Sequence, residues 1–143
     1  MLQFNPDKIS KLISEIRKTL NRLKNLQSLT EEEFLSDPNK IDSAKYNFIV
    51  AIESVIDICN HLISKNALRS PKDYGDTFQV LEEHGILEEE FVADLKNMVK
   101  FRNRLVHLYW EVDDRQIYKI LQENLDTFTN FLNKLADVLD LGG

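Results

Sequence analysis

Apolar residues recur along this chain at intervals of three and four, the period of a helix with one face turned inward. Ile9, Leu12, Ile13, Ile16, Leu20 and Leu23 form the first such stripe, with Lys8, Lys11, Lys18 and Arg22 off it. Asn5-Pro6-Asp7 gives the stripe a start: a capping amide, a proline with no N–H to lose, and an acid at the positive helix end. A helix to about Gln27 is predicted. Thr30-Glu31-Glu32-Glu33 reads as a capping box before one short turn through Phe34 and Leu35. Asp37-Pro38 restarts a helix, and Ile41, Ala44, Phe48, Ile49, Ile52, Val55, Ile56, Cys59, Leu62 and Ile63 carry it to about Lys65. Ala67 to Gly75 is predicted as a loop, with Asp76 capping a short helix that ends before Gly85. Glu88-Glu89-Glu90 opens the next helix, whose stripe is Phe91, Leu95, Met98, Val99 and Arg102. After a break at Glu111-Val112-Asp113-Asp114, a last helix is predicted through Ile117, Ile120, Leu121, Leu125, Phe128, Leu132, Leu135 and Leu139, ending at Gly142-Gly143.

The expected fold is therefore all-α: an up-down bundle of four to five helices in a single domain, 1–143. A content of 43% hydrophobic and 29% charged residues, with four Gly and three Pro, supports helices over strands and tight turns. No apolar run comes near the roughly 20 residues of a membrane span. Nor does Met1-Leu2-Gln3-Phe4-Asn5-Pro6 have the layout of a signal peptide. The single Cys59 excludes an internal disulfide and suits a reducing compartment, so a cytoplasmic protein with no membrane contact is expected.

A net charge of −6 argues against a general nucleic-acid coat protein, but the charge is unevenly spread. Residues 1–28 carry six Lys/Arg against Asp7 and Glu15, and Lys96, Lys100, Arg102 and Arg104 stand against Asp94 alone. The acids gather at Glu31-Glu32-Glu33 and between Glu82 and Glu90. A local basic surface is compatible with the acidic total.

Chemistry concentrates in Lys100-Phe101-Arg102-Asn103-Arg104-Leu105-Val106-His107-Leu108-Tyr109-Trp110. Arg102 and Tyr109 lie on nearly one helical face, as do Asn103 and His107, whereas Arg102 and His107 are about 140° apart. Either the helix end distorts near His107 or a second copy of the segment completes the site, which makes a C₂ dimer a functional expectation. This set can cleave a phosphodiester without a metal. An imidazole can take the proton of a ribose 2′-hydroxyl and give one to the leaving 5′-oxygen. An Arg fork can hold the phosphate and the charge that grows on it. Asn103 can orient the His or bind an oxygen, and Tyr109 or Trp110 can stack on a base. Scattered His residues and the lone Cys argue against metal ligation. On the second long helix Glu53, Asp57 and Asn60 form a polar stripe, either solvated or facing the Arg/His segment as supporting partners.

The string Arg102-Asn103-x-x-x-His107-x-Tyr109 in a late helix resembles the HEPN superfamily, and within it the HepT-like ribonuclease toxins. The likeness extends over Ala51-Ile52-Glu53 and Asp57-Ile58-Cys59-Asn60-His61-Leu62-Ile63, then Pro71-x-x-Tyr74, then Phe101 to Asp113. It implies a metal-independent ribonuclease, with no cofactor of its own, that acts on an RNA such as tRNA or mRNA. The resemblance further implies a homodimer whose cleft holds the motif from both protomers, with Arg102 and His107 as the catalytic pair and Asn103 in support. Toxins of this kind are paired, in a type VII-like toxin–antitoxin system, with MntA-like minimal nucleotidyltransferase antitoxins. These transfer AMP to the Tyr of the H-x-Y motif, here Tyr109, where added phosphate would block the cleft and compete for Arg102. The alternative is a non-catalytic HEPN module that binds a nucleotidyltransferase, nucleotide or RNA. Arg104, inside the motif, is a cation without an assigned role.

Overall fold

Most helices here begin where a short polar side chain takes the free N–H groups of the first turn. A computed structural model describes residues 1–141, and among them are seven α-helices and one 3-10 turn. Asn5 caps α1 (Pro6–Gln27), accepting from the N–H of Asp7 and Lys8. Thr30 and Glu33 close a capping box on α2 (Glu31–Leu35), and Asp37 caps α3 (Pro38–Lys65). These three starts fall where the sequence predicts them, because each combines a cap with Pro or Glu.

Two later boundaries correct the sequence reading. The cap of α4 (Tyr74–Glu83) is Asp73 rather than Asp76. Gly75 therefore lies inside the helix rather than in the loop, and Asp76, in the first turn, is bound by Arg69 at 2.8 Å. The helix ends as expected at Gly85, whose φ of +71° is the left-handed conformation that glycine adopts without strain. After α5 (Glu89–His107) and the 3-10 turn Tyr109–Glu111, the predicted last helix divides into α6 (Asp114–Glu123) and α7 (Asp126–Val138). The break falls at Asn124-Leu125, and Leu125 stays buried across it, so the apolar stripe runs on unbroken in sequence. This division and the short α2 raise the helix number above the four to five expected. The predicted end at Gly142-Gly143 lies outside the described residues.

Helix α3 runs through the middle. The N-terminus of α1 lies beside its C-terminus: Gln3 N–H donates to Asn66 Oδ1 and Asn5 N–H to His61 Nε2, each at 2.9 Å. The two helices are thus antiparallel. Phe48 of α3 meets Phe101 of α5 edge-on at 5.2 Å and Phe128 of α7 at 6.5 Å, joining three helices at one aromatic centre. By length and apolar content alone α3 could cross a bilayer, contrary to the expectation that no run comes near a span. However, 67% of its most apolar stretch is buried inside the protein, so that surface already serves the core.

Candidate active site at the end of helix α5

Phe101 and Leu105 are buried against the core, and their burial sets the roll of α5. The residue after Phe101 is then directed toward α3 and α4. Arg102 donates from Nη2 to Glu53 Oε1 at 2.8 Å and from Nε to the same oxygen at 3.2 Å. Its Nη1 donates to Asn103 Oδ1 at 3.0 Å. The guanidinium lies 5.2 Å from the ring centre of Tyr74, the first residue of α4, a cation–π distance. Only 13% of the Arg102 side chain is exposed, against 42% for Glu53.

The polar stripe of α3 therefore divides. Glu53 faces Arg102. Asn60 turns to α4 and accepts from Thr77 Oγ1 at 3.1 Å. Asp57 is exposed, and its carboxyl is raised by desolvation and then by the nearby Glu53 charge, with Lys8 opposing. Beside Asn103, a cleft of about 520 Å³ is lined by Tyr74, Gln79, Lys96 and Lys100.

His107 ends α5, whose last turn stays regular, Leu108 N–H donating to Arg104 O at 2.8 Å. There is no distortion to swing His107 toward Arg102. Among the described residues no hydrogen bond or ion pair joins the two, and His107 is exposed. Val106, Leu108 and Trp110 are exposed around it, Trp110 to 80%. Arg104 points away and donates to Gln116 Oε1 at 3.0 Å.

Tyr109 is held elsewhere. Its hydroxyl donates to Asp42 Oδ1 at 2.8 Å, and Lys45 Nζ lies 4.1 Å from its ring centre. Lys45 also donates to the Tyr109 carbonyl at 3.2 Å and sits 3.8 Å from Asp114 Oδ1. Partial burial first, then the hydrogen bond and charge of Asp42, push the phenol up to about 12. Asp42, Lys45, Asp114 and the contact of Tyr74 with Arg102 were not anticipated. A signal for Lys45 existed, since it stands four residues after Ile41 on the apolar stripe of α3, where a charge needs a reason.

No group of three or more His, Cys, Asp or Glu side chains converges as a metal site among the described residues. Burial raises the Cys59 thiol and leaves it no part in the chemistry.

A family model described as Ribonuclease HepT-like matches residues 16–135. An Archaeoglobus fulgidus protein named provisionally as an RNase is 31% identical over 116 residues, covering 80% of this chain and 87% of that one. An mRNA nuclease HepT of Shewanella oneidensis is 28% identical over 127 residues, covering 89% and 95%. Among solved structures, a tri-AMPylated Shewanella oneidensis HEPN toxin in complex with an MNT antitoxin matches with a TM-score of 0.85 at 27% identity. That match covers 92% of this chain and 98% of the toxin.

Proposed function

The chain belongs to the HepT-like ribonuclease family, and on that premise we propose that it is the toxin of a toxin–antitoxin pair, a metal-independent ribonuclease of a single domain. The observation that carries the reading is Arg102, oriented by Glu53 and Asn103 five residues before an exposed His107. His107 takes the 2′-hydroxyl proton of a ribose as the 2′-oxygen attacks phosphorus, and a protonated His107 returns one to the departing 5′-oxygen. Arg102 binds the phosphate and the negative charge that develops on it. Asn103 holds Nη1 of the guanidinium in place, and the cleft of Lys96 and Lys100 receives the flanking RNA.

Within one chain Arg102 and His107 point about 140° apart on a regular helix, which supports a site completed by a second copy. The exposed Val106, Leu108 and Trp110 supply apolar surface for such a homodimer at the same helix end. Its cytoplasmic partner is a minimal nucleotidyltransferase that uses ATP to place AMP on Tyr109. The AMP adds bulk and negative charge to the segment that follows His107, which hinders RNA from entering the site.

A direct test is cleavage of tRNA and mRNA by the purified dimer in EDTA. Activity that survives both Arg102→Ala and His107→Ala would move the chemistry to other residues. The net charge of −6 favours a second reading, a module that binds RNA or nucleotidyltransferase without cutting. Growth arrest on expression without the partner, absent for His107→Ala, distinguishes the two.

A further inference from the structure

Lys45 is 6% exposed, and a lysine so buried needs partners for its charge. Its partners all belong to the segment that follows α5: the ring and carbonyl of Tyr109 and the carboxylate of Asp114. One turn earlier on α3, Asp42 Oδ1 accepts a 2.8 Å hydrogen bond from the Tyr109 hydroxyl. Tyr109 is thus gripped at its ring, its backbone and its oxygen by one face of α3. Simple packing at that place would need only an apolar side chain.

We propose that Asp42 is the proton acceptor when Tyr109 is nucleotidylated, and that Lys45 is the positioning residue that holds the tyrosine against it. The inference rests on the reading of Tyr109 as the site of AMP transfer. In that step the Tyr109 Oη forms a bond to the α-phosphorus of ATP. The bond from that phosphorus to the oxygen bridging toward the β-phosphorus breaks, and pyrophosphate leaves with the electron pair. The phenolic proton passes to Asp42 Oδ1 and from there to water. With Asp42 and Asp114 both near the ring, the oxygen keeps its proton at neutral pH, and a base already in hydrogen-bond contact removes the need for prior ionisation. Lys45 faces the ring where negative charge grows as the proton departs.

The experiment is a time course of intact mass for the wild-type chain, Asp42→Asn, Asp42→Ala, Lys45→Met and Lys45→Arg. Each is mixed with magnesium–ATP and an MntA-like minimal nucleotidyltransferase, with Tyr109→Phe as control. An Asn at position 42 still accepts the hydroxyl hydrogen bond but is no base, so it separates proton transfer from placement. Asp42→Asn should lower the maximal rate on the order of a hundredfold, with the KM for the chain nearly unchanged. Lys45→Met should slow transfer as well, and Lys45→Arg should recover most of it. Circular dichroism and dimer mass establish that each variant is folded. Equal rates for wild type and Asp42→Asn, or a slow rate for Asp42→Ala alone, would overturn the proposal while leaving the modification reading intact. Absence of added mass on the wild type, or added mass that persists in Tyr109→Phe, would remove the modification reading and the proposal with it.

Discussion

Arg102 gives two of its donors to a single oxygen of Glu53, at 2.8 and 3.2 Å, while a third goes to Asn103. The guanidinium is therefore aimed by α3, and the donors left over are those a phosphate would meet. Replacing Glu53 by Ala should leave Arg102 free to sample other rotamers and slow RNA cleavage roughly tenfold to a hundredfold. Asp57→Ala, one turn along the same helix and exposed, should stay within about twofold of wild type. Single-turnover cleavage of one labelled RNA by the three proteins checks both. Equal loss from the two substitutions would mean that general charge on α3, rather than the Glu53 contact, governs the rate.

The divergence of Arg102 and His107 on one helix predicts complementation between inactive partners. Arg102→Ala and His107→Ala homodimers should each lose on the order of a thousandfold in activity. Unfolded and refolded together, half of the dimers become mixed, and half of the sites in those dimers pair an intact Arg with an intact His. Recovery of about a quarter of wild-type activity is then expected for a shared site. No recovery would place both residues of each site in one protomer.

Tyr109 should ionise above the ordinary range of a tyrosine. Partial burial and Asp42 push it up to about 12 from an ordinary value of 10. Absorbance at the phenolate band should show one tyrosine titrating near that pH, missing in Tyr109→Phe and moved down in Asp42→Asn. Because the folded value is raised, the linked stability is complete below pH 10 and is lost as pH rises toward about 12.

His61 accepts the N–H of Asn5, the cap residue of α1, and only a neutral imidazole can do so. Burial first, then the charges of Lys8 and Lys65, lower it from an ordinary 6.5. The sign is opposite to that of Tyr109. Stability from this contact is complete above pH 6.5 and lost as pH falls through the lowered value. Thermal unfolding between pH 7.5 and 5 should show a steeper decline for wild type than for His61→Gln, an uncharged replacement. Parallel curves would assign the acid sensitivity to other groups.

The long helices were legible because their ends carry local chemistry: Asn5-Pro6, Asp37-Pro38 and the Thr30 capping box act through neighbours a few residues away. The start of α4 was harder. Asp73 and Asp76 are both credible caps, and only the tertiary grip of Arg69 on Asp76 leaves Asp73 as the one that caps. The break at Asn124-Leu125 is hidden for another reason, since Ile117, Leu121, Leu125 and Phe128 stay buried on both sides of it. At the site, motif spacing brought out Arg102, Asn103, His107 and Tyr109. The partners Glu53, Asp42 and Lys45 lie 49 to 67 residues away in sequence, and no local period encodes such distances. Glu53 was visible on the polar stripe of α3 and Lys45 as a charge on an apolar stripe, whereas Asp42 left no trace.

Asp42 and Lys45 grip Tyr109 from the same rod that, at Glu53, steers Arg102. Eleven residues of helix separate Asp42 from Glu53, about 16 Å of rise and three turns that return to within roughly 20° of the same face. The segment therefore behaves as a calibrated spacer. Deleting one residue from it would turn one end by about 100° relative to the other and draw it in by about 1.5 Å, so that one of the two grips must fail. Side chains between the two points can drift wherever the core tolerates them, but the number of residues cannot. Selection on this stretch of α3 should fall on its length before its letters.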